Sequence, residues 1–207
     1  MNPRLVLAVL VALLFLSGGL VVIALTADRG SGDDALVDGP PDSKSEFAGA
    51  KLPDGVRAPD FALEDENGDP IAMKDFRGKP VIVTFLYSSC EDTCPGQAQQ
   101  VKAALDELGH DVPALAVSVD PENDTPRSAQ KFNLEQRVTG RIRWVLGDKA
   151  DLKKVHKGFF IQAQTKNLDH QARIVLIDRD GFQRVGYPLQ QVTPERMAGD
   201  LKILEQG

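Results

Sequence analysis

Residues 78–95 read Gly-Lys-Pro-Val-Ile-Val-Thr-Phe-Leu-Tyr-Ser-Ser-Cys-Glu-Asp-Thr-Cys-Pro. From Val81 to Tyr87 the run is β-branched and aromatic, with no polar alternation. That is the pattern of a strand buried on both faces of a helix-covered sheet. Two cysteines, Cys90 and Cys94, follow it directly. A helical pattern comes next: over Gln97 to Leu108, the side chains of Val101, Leu105 and Leu108 share one face. Open α/β sheets place their sites at such joins, beyond the carboxyl ends of strands.

The same reading extends outward. Pro113 to Val119 is a second buried strand. Thr125-Pro126 opens a helix to about Arg137, with Thr as N-cap and Pro at the first helical position. Ile142 to Leu146 reads as a short strand, and Lys149 to about Phe159 as a helix. Ala172 to Ile177 and Phe182 to Tyr187 flank the turn Asp178-Arg-Asp-Gly181 as a hairpin. Thr193 caps a closing helix over Pro194 to Glu205. Upstream, Phe61–Leu63 and Pro70–Met73 flank Asn67-Gly68, a pair that favours positive φ and a hairpin turn. Early alternation of strand and helix implies parallel strands, and the late hairpin makes the sheet mixed. The expected fold class is α/β: a thioredoxin-like mixed central sheet flanked by helices.

The chain has 207 residues, 42% hydrophobic and 26% charged, which excludes a disordered polymer. Two cysteines exclude a disulfide-dense scaffold. The net charge of −6 offers no basic face, so no nucleic-acid partner is expected.

Leu5 to Leu25 carries no charge, and as a helix it measures about 31 Å, the thickness of a hydrocarbon core. A cleaved signal peptide has a shorter apolar run, roughly 7 to 15 residues. The expectation is therefore an uncleaved transmembrane helix. Arg4 is its short positive flank and stays cytoplasmic. In a bacterial cell this places the chain in the cytoplasmic membrane, single-pass, with its globular part on the periplasmic or extracellular side. The organisation is then an anchor (1–27), a flexible acidic tether rich in Gly, Pro, Ser and Asp (28–51), and one domain (52–207).

Cys90 and Cys94 are spaced C-x-x-x-C. As a structural staple they would close too short a loop to add much stability. Thioredoxin-type redox sites have two intervening residues, not three. A peroxidatic cysteine needs Thr or Ser three residues earlier, where Tyr87 stands. Glu91 and Asp92 are expected to raise the thiol pKa, which weakens a redox role. Cysteines at i and i+4 on an incipient helix can share one ion, and soft thiolates suit copper(I) or zinc. Three histidines could supply a third ligand. His110 follows Gly109 at a helix end and reads as a surface or capping residue. His156 sits mid-helix among lysines and reads as surface or packing. His170 directly precedes a strand that, in a thioredoxin-like fold, starts beside the first helix, and it is the expected ligand. Two thiolates and one imidazole make a trigonal copper(I) site, and a fourth ligand suits copper(II).

These motifs resemble the Sco/SenC copper-delivery family. The marks are residues 78–87, C-x-x-x-C-P at 90–95, Val117-Ser-Val-Asp-Pro-Glu-Asn-Asp-Thr-Pro126, Asp169-His170 and Leu176-Ile-Asp-Arg-Asp-Gly181. The resemblance implies a membrane-anchored thioredoxin-like protein that holds copper through Cys90, Cys94 and His170. It would deliver the ion to the binuclear copper site of cytochrome c oxidase during assembly. The oxidase's copper-site subunit is then the partner, with other copper chaperones or thiol reductants as further candidates. One departure stands out: Glu91 takes the place of the family's usual proline. The alternative is a thiol–disulfide oxidoreductase in which Cys90 and Cys94 are the redox-active pair, reducing cysteines of the oxidase or other exported proteins. A copper or redox sensor is a third class, and no signalling feature supports it. The loop 120–126 reads as a turn and helix cap, with metal or partner contact as its other reading. Trp144, Phe159 and Phe160 are expected as core or rim aromatics.

Overall fold

The computed structural model describes residues 45–161 and 173–207. Leu5–Leu25, His170 and most of the expected tether lie outside the described residues. Among the described residues, no helix is long and apolar enough to cross a membrane.

The strands are β1 (Ala50–Lys51), β2 (Ala62–Glu64), β3 (Pro70–Ala72), β4 (Val81–Leu86), β5 (Ala114–Ser118), β6 (Arg143–Val145), β7 (Arg173–Ile177) and β8 (Gln183–Pro188). The helices are α1 (Thr93–Leu108), α2 (Pro126–Glu135), α3 (Lys149–Gly158) and α4 (Pro194–Gln206). The central sheet has the order β1-β8-β7-β4-β5-β6. β4, β5 and β6 are parallel, whereas β7 is antiparallel to β4, and β8 and β1 continue antiparallel. The mixed α/β sheet read from the sequence is therefore present, flanked by helices.

Every residue of β4 is buried, as its unbroken apolar run requires. Ile82 and Leu86 face one core with Val101 and Leu105 of α1 and Leu201 of α4. Val83 and Phe85 face a second core with Leu152 and Phe159 around α3 and Ile71 of β3. Trp144 and Phe159 are fully buried, but Phe160 is 64% exposed, with a left-handed backbone at φ 57. It is neither core nor packed rim.

Two local findings differ from the expectations, and a third adds to one of them. First, α1 begins at Thr93, four residues before the apolar periodicity becomes visible. The first turn, Thr-Cys-Pro-Gly, carries no apolar stripe to signal it. Second, the domain starts before Leu52. β1 pairs Ala50 with Gly186 and Lys51 with Val185. Buried Asp200 accepts the Ala48 and Gly49 amides at 2.7 and 2.9 Å. Gly49 is required there, because a Cβ would lie 2.4 Å from Val185. Third, the β2–β3 hairpin forms, with Gly68 at φ +79, but as a separate two-stranded sheet. Asp65 organises its turn, accepting the Asn67 and Asp69 amides at 2.8 and 3.0 Å.

Candidate metal centre

β4 ends at Leu86, and the loop 87–92 carries the chain into α1. The Cys90 amide donates to the Tyr87 carbonyl at 3.2 Å, closing a turn over 87–90. Asp92 stands at the N-cap of α1, yet its side chain makes no capping bond. Cys90 caps the helix instead, its sulfur accepting the Cys94 amide at 3.2 Å. The amide belongs to the first turn of the helix, where backbone donors have no partner within the helix.

This placement splits the two thiols. Burial pushes Cys90 up. Hydrogen bonds from the Cys94 thiol, the Cys94 and Asp92 amides and the Tyr87 hydroxyl outweigh it, so its net direction is down. Burial, and then the neighbouring Cys90, push the Cys94 thiol far up. Tyr87 is likewise raised, first by its hydrogen bond to Cys90. The expected upward pressure from Glu91 and Asp92 does not prevail at Cys90. Both side chains are exposed, and the Asp92 backbone amide works in the opposite sense.

Cys90 and Cys94 are joined by the bond from the Cys94 amide to the Cys90 sulfur, and both residues are buried. No disulfide joins them. Two adjacent soft donors, one held toward its thiolate form, fit a soft thiophilic ion such as copper(I). They fit dithiol exchange equally well. Among the described residues, no group of three His, Cys, Asp or Glu gathers to hold a metal. His170, the expected third ligand, lies outside them.

Arg173, the third residue after His170, is the first of β7. In the β4–β7 register Thr84 pairs with Ile174, so β7 begins at the end of β4 that leads to the cysteines. Gln97, one turn beyond Cys94, bridges the two elements. Its amide nitrogen donates to Thr84 Oγ1 at 3.2 Å and to the Arg173 carbonyl at 3.5 Å, while its buried Oε1 has no partner among the described residues. Gln97 was readable as a polar residue on the apolar face of α1, in line with Val101 and Leu108.

The other histidines are placed elsewhere. His110 is half-exposed beyond the far end of α1, 2.6 Å from Glu205. His156 is buried, and its Nε2–H donates to the Ser118 carbonyl at 2.8 Å. Burial lowers its pKa, so it is a neutral packing residue. The loop 120–126 does contain the expected turn and cap. Asp120 accepts Asn123 Nδ2 at 3.0 and 2.9 Å, and Thr125 Oγ1 caps α2 through the Ser128 amide at 3.2 Å. The Asp124 amide closes the turn on the Asp120 carbonyl at 2.8 Å, but its carboxylate takes part in neither turn nor cap. It accepts the Ser88 amide at 2.7 Å, Ser88 Oγ at 2.6 Å and Ser118 Oγ at 2.6 Å. Nothing in the sequence signals that contact, because the partners lie 36 and 6 residues away.

Comparison with known proteins follows the same outline. A structure of Bradyrhizobium japonicum ScoI with copper bound is 33% identical, with a TM-score of 0.62 over 72% of this chain and 99% of that one. Protein sco1 of Schizosaccharomyces pombe is 28% identical over 59% of this chain and 48% of its own length. Protein SenC of Rhodobacter capsulatus is 40% identical over 35% of this chain and 34% of its length. The matches thus span about half or less of these two curated relatives. The sequence profile described as SCO1/SenC matches residues 51–205, most of the chain. On that match the chain belongs to the SCO1/SenC family.

Proposed function

We propose that this protein carries copper outside the cytoplasmic membrane and passes it to the binuclear copper site of cytochrome c oxidase during assembly. The observation that carries the reading is the pair of buried, free cysteines beyond the end of β4, with the Cys90 sulfur held on the Cys94 amide, in a chain whose 33%-identical relative was solved with copper. In this reading Cys90, Cys94 and His170 hold the ion, and it leaves by ligand exchange to the oxidase's copper-site subunit. Residues 1–27 anchor the chain as a single transmembrane helix. Residues 28 to the mid-40s tether it, and the domain from there to Gly207 carries the site. Other copper chaperones or thiol reductants are the partners that load or reduce it, since the ligands bind copper as thiolates.

The test is an anaerobic copper(I) titration of the full chain in detergent against a competing chelator. Stoichiometric binding is expected, weakened ten-fold or more (about 1.4 kcal/mol) in His170→Ala. Weak binding indifferent to His170 overturns the three-ligand site.

A second reading is favoured by one observation. The lowered Cys90 and raised Cys94 make an asymmetric dithiol, one thiol disposed to attack and one held protonated. A membrane-anchored thiol–disulfide oxidoreductase would use that pair and would turn over without His170. Catalytic reduction of a disulfide substrate by His170→Ala at the wild-type rate would select it.

A further inference from the structure

The conspicuous group that neither reading uses is the carboxylate of Asp124. Its relative exposure is 9%, and it is buried between the ends of β4 and β5. Its bonds have a direction. One oxygen takes both the amide and the hydroxyl of Ser88, and the other takes the Ser118 hydroxyl. Ser118 is the last residue of β5, and its own carbonyl is fixed by His156. Asp124 therefore ties the loop after β4 to a strand end already held in place.

Ser88 is the useful residue to hold. It sits between Tyr87, whose carbonyl receives the Cys90 amide, and Ser89-Cys90. Two bonds to one residue, at its backbone and at its hydroxyl, remove its freedom to rotate. The hydroxyl of Ser128 adds a contact at 2.9 Å to Ser88 Oγ. Among the described residues no cation is a partner of Asp124, and there the donors that offset burial of the carboxylate are all neutral. Burial accordingly pushes its pKa up. A turn and a cap, the two structural roles of this loop, are already filled by Asp120 and Thr125. A buried carboxylate is a costly choice for a purely structural tie, and its bonds end two residues from Cys90.

We infer that Asp124 is a positioning residue for the cysteine site: through Ser88 it fixes the 87–90 turn and thereby holds the Cys90 sulfur against Cys94. This rests on the reading of Cys90 and Cys94 as the working pair. Preorganisation acts on two quantities in the same way. Copper(I) binds more tightly when its two sulfurs need no ordering. The disulfide is also more stable when the two thiols are held together. In that exchange the two thiols pass two electrons and two protons to glutathione disulfide, giving the Cys90–Cys94 disulfide and two glutathione thiols.

The experiment uses the full chain in detergent, with wild type, Asp124→Asn, Ser88→Ala and Ser118→Ala compared. The readouts are copper(I) affinity by chelator competition, the dithiol potential in glutathione buffers, and the thermal midpoint. In Asp124→Asn, copper(I) is expected to weaken about ten-fold. The disulfide should become about ten-fold easier to reduce, a potential about 30 mV more positive. Ser88→Ala shifts both readouts in the same directions by about three-fold. Ser118→Ala, which cuts the strand-side end of the same tie, shifts both readouts in the same directions but by less than Asp124→Asn. A lowered midpoint in Asp124→Asn with wild-type affinity and potential overturns the inference. Should Asp124→Asn not fold, unchanged affinity and potential in Ser88→Ala overturn it instead. If wild type itself fails to bind copper(I), the copper reading falls, and the potential still decides the role of Asp124.

Discussion

Two buried aspartates hold two loops of this molecule, and they do it by opposite electrostatic means. Asp65, in the turn between β2 and β3, accepts two backbone amides and is closed from the other side by Arg143, with Nη2 2.7 Å and Nε 3.0 Å from Oδ2. Asp124, tied to the cysteine loop through Ser88, accepts an amide and two hydroxyls, all neutral donors, among the described residues. Burial raises the pKa of both. At Asp65 the hydrogen bonds from Arg143 and the turn amides reverse the direction, whereas at Asp124 burial prevails. The β2–β3 hairpin is clamped by a neutralised pair. The loop that carries the cysteines is clamped by a carboxylate with no countercharge among the described residues. Firmness and electrostatic neutrality are separable here, and the site has the first without the second.

The largest expected effect comes from breaking the neutralised clamp. Asp65→Ala strands the partly buried guanidinium of Arg143 and frees two turn amides. It should cost about 3 kcal/mol of stability, read from urea unfolding, with copper(I) affinity within two-fold of wild type. A large loss of copper affinity would mean that the two regions are not independent.

The pH dependence sharpens the contrast. The folded pKa of Asp65 is depressed below 3.8, so its contribution is present above that value and is lost as pH falls through the folded pKa. Asp124 is raised above 3.8, so its contribution is present below that value and is lost as pH rises through its folded pKa. Unfolding free energies of wild type minus Asp65→Asn, and of wild type minus Asp124→Asn, should therefore change with pH in opposite directions, neither faster than about 1.4 kcal/mol per pH unit. Equal signs would show that the two clamps do not differ as described.

The smallest effect is on the surface of the same loop. Glu122 meets Lys149 at 2.8 Å, with side chains 69% and 78% exposed. Glu122→Gln should leave the thermal midpoint and copper affinity unchanged, since solvent screens such pairs. A change in copper affinity would extend the site's control beyond Asp124.

What could be read from the sequence, and what could not, follows from range. β4, β5 and the Asn67-Gly68 turn announce themselves through neighbouring residues, because apolar runs and turn dipeptides are local signals. The placement of Cys90 and Cys94 at a strand-to-helix join was also local. The sulfur cap was hidden, because the first turn of α1 has no apolar period and Asp92 is the residue that looks like the cap. β1 was hidden because a two-residue strand has no period, and its fixing residue, Asp200, lies 151 positions from Gly49. Asp124 stood in view inside a recognisable loop, but its partner Ser88 lay 36 residues upstream, so it read as a turn residue.

The sulfur that caps α1 has a spectroscopic consequence. The Cys94 amide proton sits 3.2 Å, measured from its nitrogen, from an atom whose electron density changes whenever Cys90 is deprotonated, metallated or oxidised. In an amide correlation spectrum that single resonance should move with each change of state at Cys90. Site occupancy could then be followed in the intact protein without a chromophore or a label.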